Sequence, residues 1–256
     1  MNLRKLITTP IAYGLRLLGY HIVPYAPPAA FPRDYDKETI SDILAARKYT
    51  MTPVPRLVAL CNAARYVVEN RIPGDIVECG VWKGGSMMTV ARTLVRLGHQ
   101  ERDLYLFDTF EGMSEPTDVD VMWDGQPARE MWKNNRNPDQ TNNFCFAPLE
   151  EVKNVMGQTG YDRNKIHFVK GKVENTLPGE APQAISLLRL DTDWYESTRH
   201  ELVHLFPRLS RGGVVIFDDY GCWEGAKKAV DEYMKETKVP LLLHSIDEEA
   251  RIAVKL

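Results

Sequence analysis

The sequence predicts an α/β fold in which helices cover both faces of a mostly parallel sheet. From residue 71 onward, short apolar segments alternate with segments of helical periodicity, a pattern typical of parallel sheets. The apolar segments lack polar alternation, as expected for strands buried on both faces. The last two, 241–246 and 251–256, are separated by too few residues for a crossover helix. They therefore predict a terminal hairpin with one antiparallel strand.

The first 70 residues are expected to form a helical extension that precedes this domain. Residues 24–34 are rich in proline and predict a stiff connector between the first residues and helices over 36–49 and 55–70. Before the connector, apolar residues recur at helical spacing and predict a short amphipathic helix that packs on the body or on a second subunit. Contact of this helix with a membrane surface through Arg4, Lys5 and Arg16 is the alternative.

The remaining residues, 71–256, are expected to form the α/β domain. Within it, no strand is predicted over residues 109–160. An insertion of this length is often a lid over a ligand site. Its aromatic residues are candidates for stacking on a ligand, and a small helical insert is the alternative. The predicted elements are, in order, strand 75–79, helix 86–97, strands 103–107, 165–169 and 185–190, helix 196–209, strand 213–217 and helix 223–236.

The composition excludes several classes of protein. The 256 residues are 44% hydrophobic and 26% charged, which is an ordinary globular composition rather than a disordered or disulfide-scaffold one. A formal net charge of −3 gives no basic surplus to drive nucleic-acid binding. No apolar run approaches the ~20 residues of a membrane-spanning helix. The four cysteines form no C-x-x-C pair, so we expect free thiols and a cytoplasmic location.

A glycine-rich turn follows the first predicted strand, where ligands bind in open α/β sheets. It runs from Glu78 through Gly80, Trp82, Gly84 and Gly85 to Ser86. The dinucleotide motif G-x-G-x-x-G fails at Trp82, and the P-loop motif fails because Ser86 stands where lysine is required. The turn still lets a ligand approach the backbone at the start of a helix, unless the glycines serve only the turn.

Acidic residues follow three other strands. Asp108 can accept hydrogen bonds from a ribose diol, or it can cap a turn. Asp191 and Asp193 follow the strand 185–190, and Asp218 and Asp219 follow the strand 213–217. If these two strands are neighbours, their carboxylates converge and repel one another, and a bound cation resolves the repulsion. Oxygen ligands favour Mg²⁺ or a similar hard ion over zinc. Simple helix capping is the alternative.

The sequence His200-Glu-Leu-Val-His204 matches the H-E-x-x-H motif of zinc proteases. We do not expect a zinc site there. At 100° per residue, both histidines lie about 200° from Leu202 in the apolar stripe, on the opposite face of the helix.

Four segments of this sequence, in this order, resemble the macrocin O-methyltransferase family: Glu-Cys-Gly-Val-Trp-Lys-Gly-Gly, Asp-Thr-Phe-Glu-Gly, Leu-Asp-Thr-Asp-Trp-Tyr-Glu-Ser-Thr and Phe-Asp-Asp-Tyr-Gly. The resemblance covers about residues 50–256. It implies a class I methyltransferase fold, Rossmann-like, with a seven-stranded sheet whose last strand is antiparallel. It also implies methyl transfer from S-adenosylmethionine (SAM) to a sugar hydroxyl, a Mg²⁺ ion and a homo-oligomer.

The resemblance also implies roles for individual residues. Asp108 would hold the SAM ribose, and Asp193 would be the general base. The metal ligands would be Asp191, Asp218 and Asp219, with Asp191 thereby part of the catalytic site. The residues around the methionine part of SAM would be Glu78, Gly80, Trp82, Gly84, Gly85 and Ser86, and those near the adenine Gly171 and Val173. Thr50-Met51 resembles a segment that covers the cofactor.

The chemistry explains why a metal is expected. An alcohol is a poor acid: with bulk water at pKa ~15.7 standing for the alcohol and Asp at ~3.9, proton transfer is uphill by roughly 16 kcal/mol. A metal ion at the acceptor oxygen reduces this difference and fixes the oxygen in line with the methyl group. The acceptor can be the sugar of a natural product, a surface glycan or a nucleotide sugar. A catechol-type phenolic methyltransferase and an inactive SAM-binding protein are the alternative functions.

Overall fold

In the computed structural model, the chain is described over residues 31–137 and 142–256. The amphipathic helix expected within the first 30 residues lies outside the described residues. Asp36–Leu256 forms one compact unit. The helices span Lys37–Ala46 (α1), Val54–Glu69 (α2), Gly85–Leu97 (α3), Ala128–Asn134 (α4), Leu149–Met156 (α5), Val173–Thr176 (α6), Tyr195–Leu205 (α7) and Glu224–Thr237 (α8). No helix of the described part is long and apolar enough to cross a membrane.

Seven strands form a single mixed sheet in the order β3-β2-β1-β4-β5-β7-β6. The strands span Asp75–Cys79 (β1), Leu104–Asp108 (β2), Ile166–Lys170 (β3), Ile185–Leu190 (β4), Leu209–Phe217 (β5), His244–Ser245 (β6) and Arg251–Val254 (β7). The first five are parallel, and β7 runs antiparallel to both β5 and β6. The predicted fold class, including the antiparallel last strand, is confirmed. The hairpin strands are shorter than expected.

Successive strand residues point to opposite faces of the sheet and build two cores. Ile76 and Leu106 pack with apolar residues of α2 and α3 on one face. Val77 and Phe107 pack with apolar residues of α7 and α8 on the other. Burial on both faces accounts for the uninterrupted apolar strands.

Local sequence sets the ends of several helices. Gly98 follows α3 with φ of 76°, a left-handed conformation that glycine adopts without strain. Helix α7 ends at Leu205, earlier than the predicted 209, and a short 3₁₀ turn containing Pro207 follows it. Proline has no backbone N–H with which to continue the helix.

The strand order reverses between β1 and β4, because β1 continues to β2 on one side while β4 continues to β5 on the other. In open α/β sheets a ligand crevice forms at such a point, outside the carboxyl ends of the strands. The expected division between an extension over 1–70 and a domain over 71–256 stays a prediction. Helices α1 and α2 pack against α3 within the compact unit.

Candidate functional site

A cavity of about 510 Å³ opens at the carboxyl ends of the central strands. This volume falls in the range of small-molecule sites. Its walls come from the turns that follow β1, β2, β3, β4 and β5, from the segment Thr50, Met51, Thr52 and Pro53 before α2, and from part of the insertion. The cavity therefore collects the loops that the sequence singled out.

Three carboxylates meet at one end of the cavity. Asp191, Asp218 and Asp219 each place a carboxylate oxygen within 4.8 Å of the others, and Asp193 lines the same cavity. They meet because β4 and β5 are paired neighbours whose carboxyl ends lie side by side. The convergence expected from the strand ends is present, and the roles of these residues stay predictions.

The carboxylates of this cluster repel one another. Burial, followed by the neighbouring carboxylates, raises the pKa of Asp219 well above its usual value. Burial also raises the pKa of Asp191, although Arg189 partly opposes the shift. Oxygen donors that repel one another in a buried site suit a hard divalent cation such as Mg²⁺. The residues present therefore fit the metal that the sequence predicted.

Asp193 has an unusual backbone and a strongly perturbed carboxylate. Its φ of 66° is left-handed, a conformation that Asp tolerates better than most side chains. Its amide donates to Asp219 Oδ2 at 3.2 Å, and the Trp223 indole N–H donates to Asp193 Oδ1 at 2.7 Å. Burial, with the charge of Asp191 next, raises the pKa of Asp193 to about 8. The carboxylate is held in place and made more basic.

A buried arginine supports the acidic cluster from below. Arg189 lies on β4 and is almost completely buried. Its Nη1 is 2.7 Å from Asp191 Oδ2 and 2.8 Å from Glu78 Oε1, and its Nη2 is 2.8 Å from Asp218 Oδ1. The sequence analysis missed this residue. An arginine inside the apolar segment Ile-Ser-Leu-Leu-Arg-Leu was the available signal, since a buried arginine requires partners.

A second arginine, Arg56 on α2, binds the cluster from the side. Its Nη1 donates to Asp218 Oδ2 at 2.7 Å and its Nε donates to Asp247 Oδ2 at 2.6 Å. Its Nη2 pairs with Glu249. Asp247 and Glu249 lie in the turn between β6 and β7, so the terminal hairpin is tied to the site. No local sequence motif indicated this contact.

The glycine-rich turn contributes to the site in two ways. Gly80, Trp82 and Ser86 line the cavity. Gly80 has φ of 82°, and a Cβ there would lie 1.9 Å from the backbone oxygen of Asp191. Glycine is therefore required for the turn after β1 to approach the turn after β4.

The other predicted residues of this turn lie behind the cavity wall. A Cβ on Gly85 would lie 2.6 Å from the carbonyl carbon of Tyr49, and Gly84 has φ of 84°. Glu78 is buried against Arg189, and burial raises the pKa of Glu78 to about 7. None of the three lines the cavity, so their contribution is to shape it.

Asp108 lines the cavity at the end away from the acidic cluster, together with Gly171 and Val173. Its Oδ2 accepts from the amides of Val81 and Trp82 at 2.8 and 3.0 Å. Its Oδ1 accepts from the amide of Phe110 at 2.6 Å. Burial raises the pKa of Asp108 above its usual value. Thr109 Oγ1 lies 3.5 Å from the same Oδ1, so the carboxylate organises the turns after β1 and β2.

The segment before α2 covers part of this end. Thr52 Oγ1 and Thr50 Oγ1 lie 3.1 and 3.3 Å from Ser86 Oγ. Both threonines and Met51 line the cavity. Thr50 and Met51 therefore lie at the cavity, and their covering of a cofactor stays a prediction.

The insertion was expected to present aromatic residues to a ligand, with Trp123, Trp132, Phe144 and Phe146 as candidates. Of these four, Phe144 alone lines the cavity. Trp132 is buried, and its indole N–H donates to the Met113 carbonyl at 2.9 Å. Trp123 and Phe146 are exposed. The insertion is tied to the site at another point, because the Trp194 indole N–H donates to the Ser114 carbonyl at 3.0 Å.

The two histidines of the H-E-x-x-H sequence are not part of the cavity wall. The rings of His200 and His204 contact each other, with centroids 4.3 Å apart, and neither lines the cavity. Between them, Glu201 points into the protein and is completely buried. The sequence analysis considered only the histidines.

Comparison with known proteins identifies the fold and its relatives. The sequence model described as Macrocin-O-methyltransferase (TylF) matches residues 29–253. A Streptomyces olivaceus protein named 8-demethyl-8-(2,3-dimethoxy-alpha-L-rhamnosyl)-tetracenomycin-C 4'-O-methyltransferase is 32% identical over 91% of this chain and 83% of its own. The demethyldecarbamoylnovobiocin O-methyltransferase of Streptomyces niveus is 32% identical over 80% and 74%.

Among solved structures, the O-methyltransferase NovP is similar to this chain. It superimposes with a TM-score of 0.70 at 30% identity, covering 81% of this chain and 82% of NovP. The two relatives and this structure each match at least 80% of this chain rather than one motif.

Proposed function

The chain belongs to the macrocin O-methyltransferase family and is a SAM-dependent O-methyltransferase, and we propose that its acceptor is a sugar hydroxyl. The first relative named above supports this, because its name places the methyl group on a rhamnosyl derivative of tetracenomycin. We propose further that Mg²⁺ assists the transfer. The observation that carries this second proposal is the meeting of three carboxylates, one of them buried, beside Asp193.

SAM is proposed to occupy the end of the cavity away from the acids. Its methionine part would lie against Gly80, Trp82 and Ser86, with Glu78, Gly84 and Gly85 shaping the turn from behind. The ribose would bind at Asp108. The adenine would lie near Gly171 and Val173. This places the sulfonium between the glycine-rich turn and the acidic cluster.

Asp191, Asp218 and Asp219 are proposed to hold the Mg²⁺ ion. When bound, Mg²⁺ would stabilise negative charge as it develops on the acceptor oxygen. Arg189 and Arg56 fix the orientation of two of these carboxylates through the ion pairs described above. The protein thus supplies a preorganised set of oxygen donors.

Asp193 is proposed to be the general base. As the acceptor oxygen forms a bond to the methyl carbon, the bond from that carbon to sulfur breaks and S-adenosylhomocysteine leaves. The hydroxyl proton passes to the Asp193 carboxylate. The Trp223 indole N–H holds Asp193 Oδ1, so the carboxylate keeps one orientation for accepting this proton.

Three further proposals concern the chain as a whole. Residues 1–70 would form a helical extension and cap on the methyltransferase domain over 71–256. The chain would self-associate, with residues 1–35 as the arm that contacts a second copy. The protein would act in the cytoplasm, without a nucleic-acid partner.

The proposed function can be tested by measuring S-adenosylhomocysteine after incubation with SAM and a panel of acceptors. The panel contains rhamnosides, other glycosides, a nucleotide sugar and catechol, each with Mg²⁺ or with EDTA. We expect a glycoside or nucleotide sugar to be methylated only with Mg²⁺. Methylation of catechol alone would contradict the sugar proposal, and full activity in EDTA would contradict the metal proposal.

Two variants distinguish the base from the rest of the site. Asp193→Asn is expected to retain SAM binding and to lose turnover. Asp124→Asn, an exposed residue outside the cavity wall, is the matched control and is expected to behave as the wild type. Wild-type turnover by Asp193→Asn would remove this residue from the base role.

A further inference from the structure

Glu201 is the most deeply buried acidic side chain that the mechanism above does not use. It lies on α7 and is completely excluded from solvent. No cation is among the groups that shift its pKa, and burial raises that pKa well above the usual value. A buried polar group of this kind requires a structural or functional reason.

The hydrogen bonds of Glu201 lead directly to the catalytic turn. Its Oε1 accepts from Thr192 Oγ1 at 3.0 Å, while its Oε2 has no hydrogen-bond partner among the described residues. Thr192 stands between Asp191, a proposed metal ligand, and Asp193, the proposed base. The Thr192–Glu201 hydrogen bond therefore joins α7 to the residue that lies between the proposed metal ligand and the proposed base.

Thr192 is also held through its backbone. Its carbonyl accepts from the Trp194 amide at 2.7 Å and from Ser197 Oγ at 3.4 Å. Asp193 lies inside this arrangement with the left-handed φ of 66°. Conformations of this kind persist at functional sites only where the surroundings hold them. The Thr192 hydroxyl, through Glu201, and the Thr192 carbonyl, through Ser197, both tie the turn to α7.

We propose that Glu201 is a positioning residue, which orients the Asp191-Thr192-Asp193 turn through the Thr192 hydroxyl. This inference rests on the proposed function for the roles of the two aspartates. It gives a purpose to the acidic residue of the H-E-x-x-H sequence, whose histidines face away from the cavity. The periodicity that turns His200 and His204 outward turns Glu201 inward.

The test uses two pairs of variants of the full chain. Glu201→Met and Thr192→Val remove the hydrogen bond while keeping the approximate size of each side chain. Glu201→Gln and Thr192→Ser keep the acceptor and the hydroxyl. Thermal unfolding of every variant identifies those that fail to fold, and calorimetric SAM binding checks the other end of the cavity.

The first readout requires neither metal nor acceptor. The Trp223 indole N–H donates to Asp193 Oδ1, so its nitrogen and proton chemical shifts report the position of Asp193. The signal is assigned by its loss in Trp223→Phe. We expect it to move in Glu201→Met and Thr192→Val, and to stay in place in Glu201→Gln and Thr192→Ser.

The second readout is the affinity for Mn²⁺, measured by electron paramagnetic resonance as a probe of the metal site. Loss of a residue that orients metal ligands typically weakens metal binding by about 10- to 100-fold. We expect a loss of about 10-fold in Glu201→Met and in Thr192→Val, and no larger loss in the double variant, because both remove the same interaction. SAM affinity is expected to stay within about twofold.

Three results would overturn the inference in a folded variant: an unmoved Trp223 signal in Glu201→Met, a Glu201→Gln variant as impaired as Glu201→Met, or losses that multiply in the double variant. If the wild type binds no Mn²⁺, the metal proposal fails, and the Trp223 signal still decides whether Glu201 positions the turn.

Discussion

Binding of Mg²⁺ to the acidic cluster is expected to release protons, and this prediction needs no acceptor. The perturbation is a titration of the metal-free protein with Mg²⁺ at pH 6, 7 and 8. Burial raises the pKa of Asp191 and Asp219 well above the usual value and that of Asp193 to about 8. In the metal-free protein, Asp193 therefore carries a proton over much of the neutral pH range. A divalent cation favours the charged carboxylates and displaces these protons.

The magnitude follows from these shifts. With a pKa of about 8, Asp193 alone is roughly nine-tenths protonated at pH 7, so close to one proton per ion is released if the ion lowers that pKa to well below 7. Each proton released strengthens the apparent affinity about tenfold per pH unit. Mg²⁺ affinity is therefore expected to rise steeply between pH 6 and pH 8.

Isothermal titration calorimetry in phosphate and in Tris measures the protons released, because the two buffers differ in ionisation enthalpy. Asp219→Asn is expected to bind at least about tenfold more weakly, since a ligand is lost. The exposed variant Asp124→Asn should match the wild type. Identical heats in the two buffers, with an affinity independent of pH, would refute the reasoning that the cluster is a protonated cation site.

The other predictions concern the contacts around the cluster. Trp223→Phe removes the N–H that donates to the proposed base, and kcat with the acceptor found in the screen should fall by about 10-fold or more, as for a hydrogen bond to a charged group; SAM affinity should not change. Gly80→Ala should lower the free energy of unfolding by roughly 2–5 kcal/mol in urea denaturation, because its Cβ would lie 1.9 Å from the Asp191 backbone oxygen. Gly98→Ala is the control, having positive φ but no atom within 4 Å, and it should cost only about 1–2 kcal/mol. Arg189→Met leaves buried carboxylates unpaired and should cost about 3–5 kcal/mol, and a stability equal to wild type would show that these ion pairs are replaceable.

The acidic half of the site could be predicted from the sequence because a simple rule places it. Parallel strands bring their carboxyl ends to one edge, so the acids after β4 and β5 meet if those strands are neighbours. The sheet order makes them neighbours. The same rule placed Asp108 and the glycine-rich turn at the cavity. These residues lie directly after strand ends, where position along the chain is sufficient to place them.

The arginines could not be placed in the same way. Arg189 meets Glu78 because β1 and β4 pair these two residues in register, and a register between strands more than 100 positions apart is not readable from one sequence. Arg56 forms ion pairs with Asp247 and Glu249, which follow it by 191 and 193 positions in the sequence. The sequence showed a charged residue in an apolar strand, which indicates that a partner exists but not which one.

The insertion shows a different limit. Trp123 and Trp132 have similar sequence surroundings, yet one is 68% exposed and the other buried. This difference in exposure goes with hydrogen bonding of the indole N–H, since a buried tryptophan requires a hydrogen-bond partner. Trp132 finds Met113. Tertiary contacts of this kind decide which aromatic residues are available to a ligand.

The residue type at position 193 meets two requirements at once. The turn after β4 needs a left-handed backbone there, which costs most side chains about 1–2 kcal/mol and favours glycine, asparagine and aspartate. The proposed chemistry needs a carboxylate. Aspartate is the residue that satisfies both, since glycine has no base, asparagine is not basic and glutamate gains no local hydrogen bond to offset the strain. The left-handed backbone at position 193 therefore limits which residue types can serve there as the proposed base. The Asp193 side chain is then held in one orientation by its contacts with Trp223 and Asp219 and, through the turn, by the Glu201–Thr192 hydrogen bond.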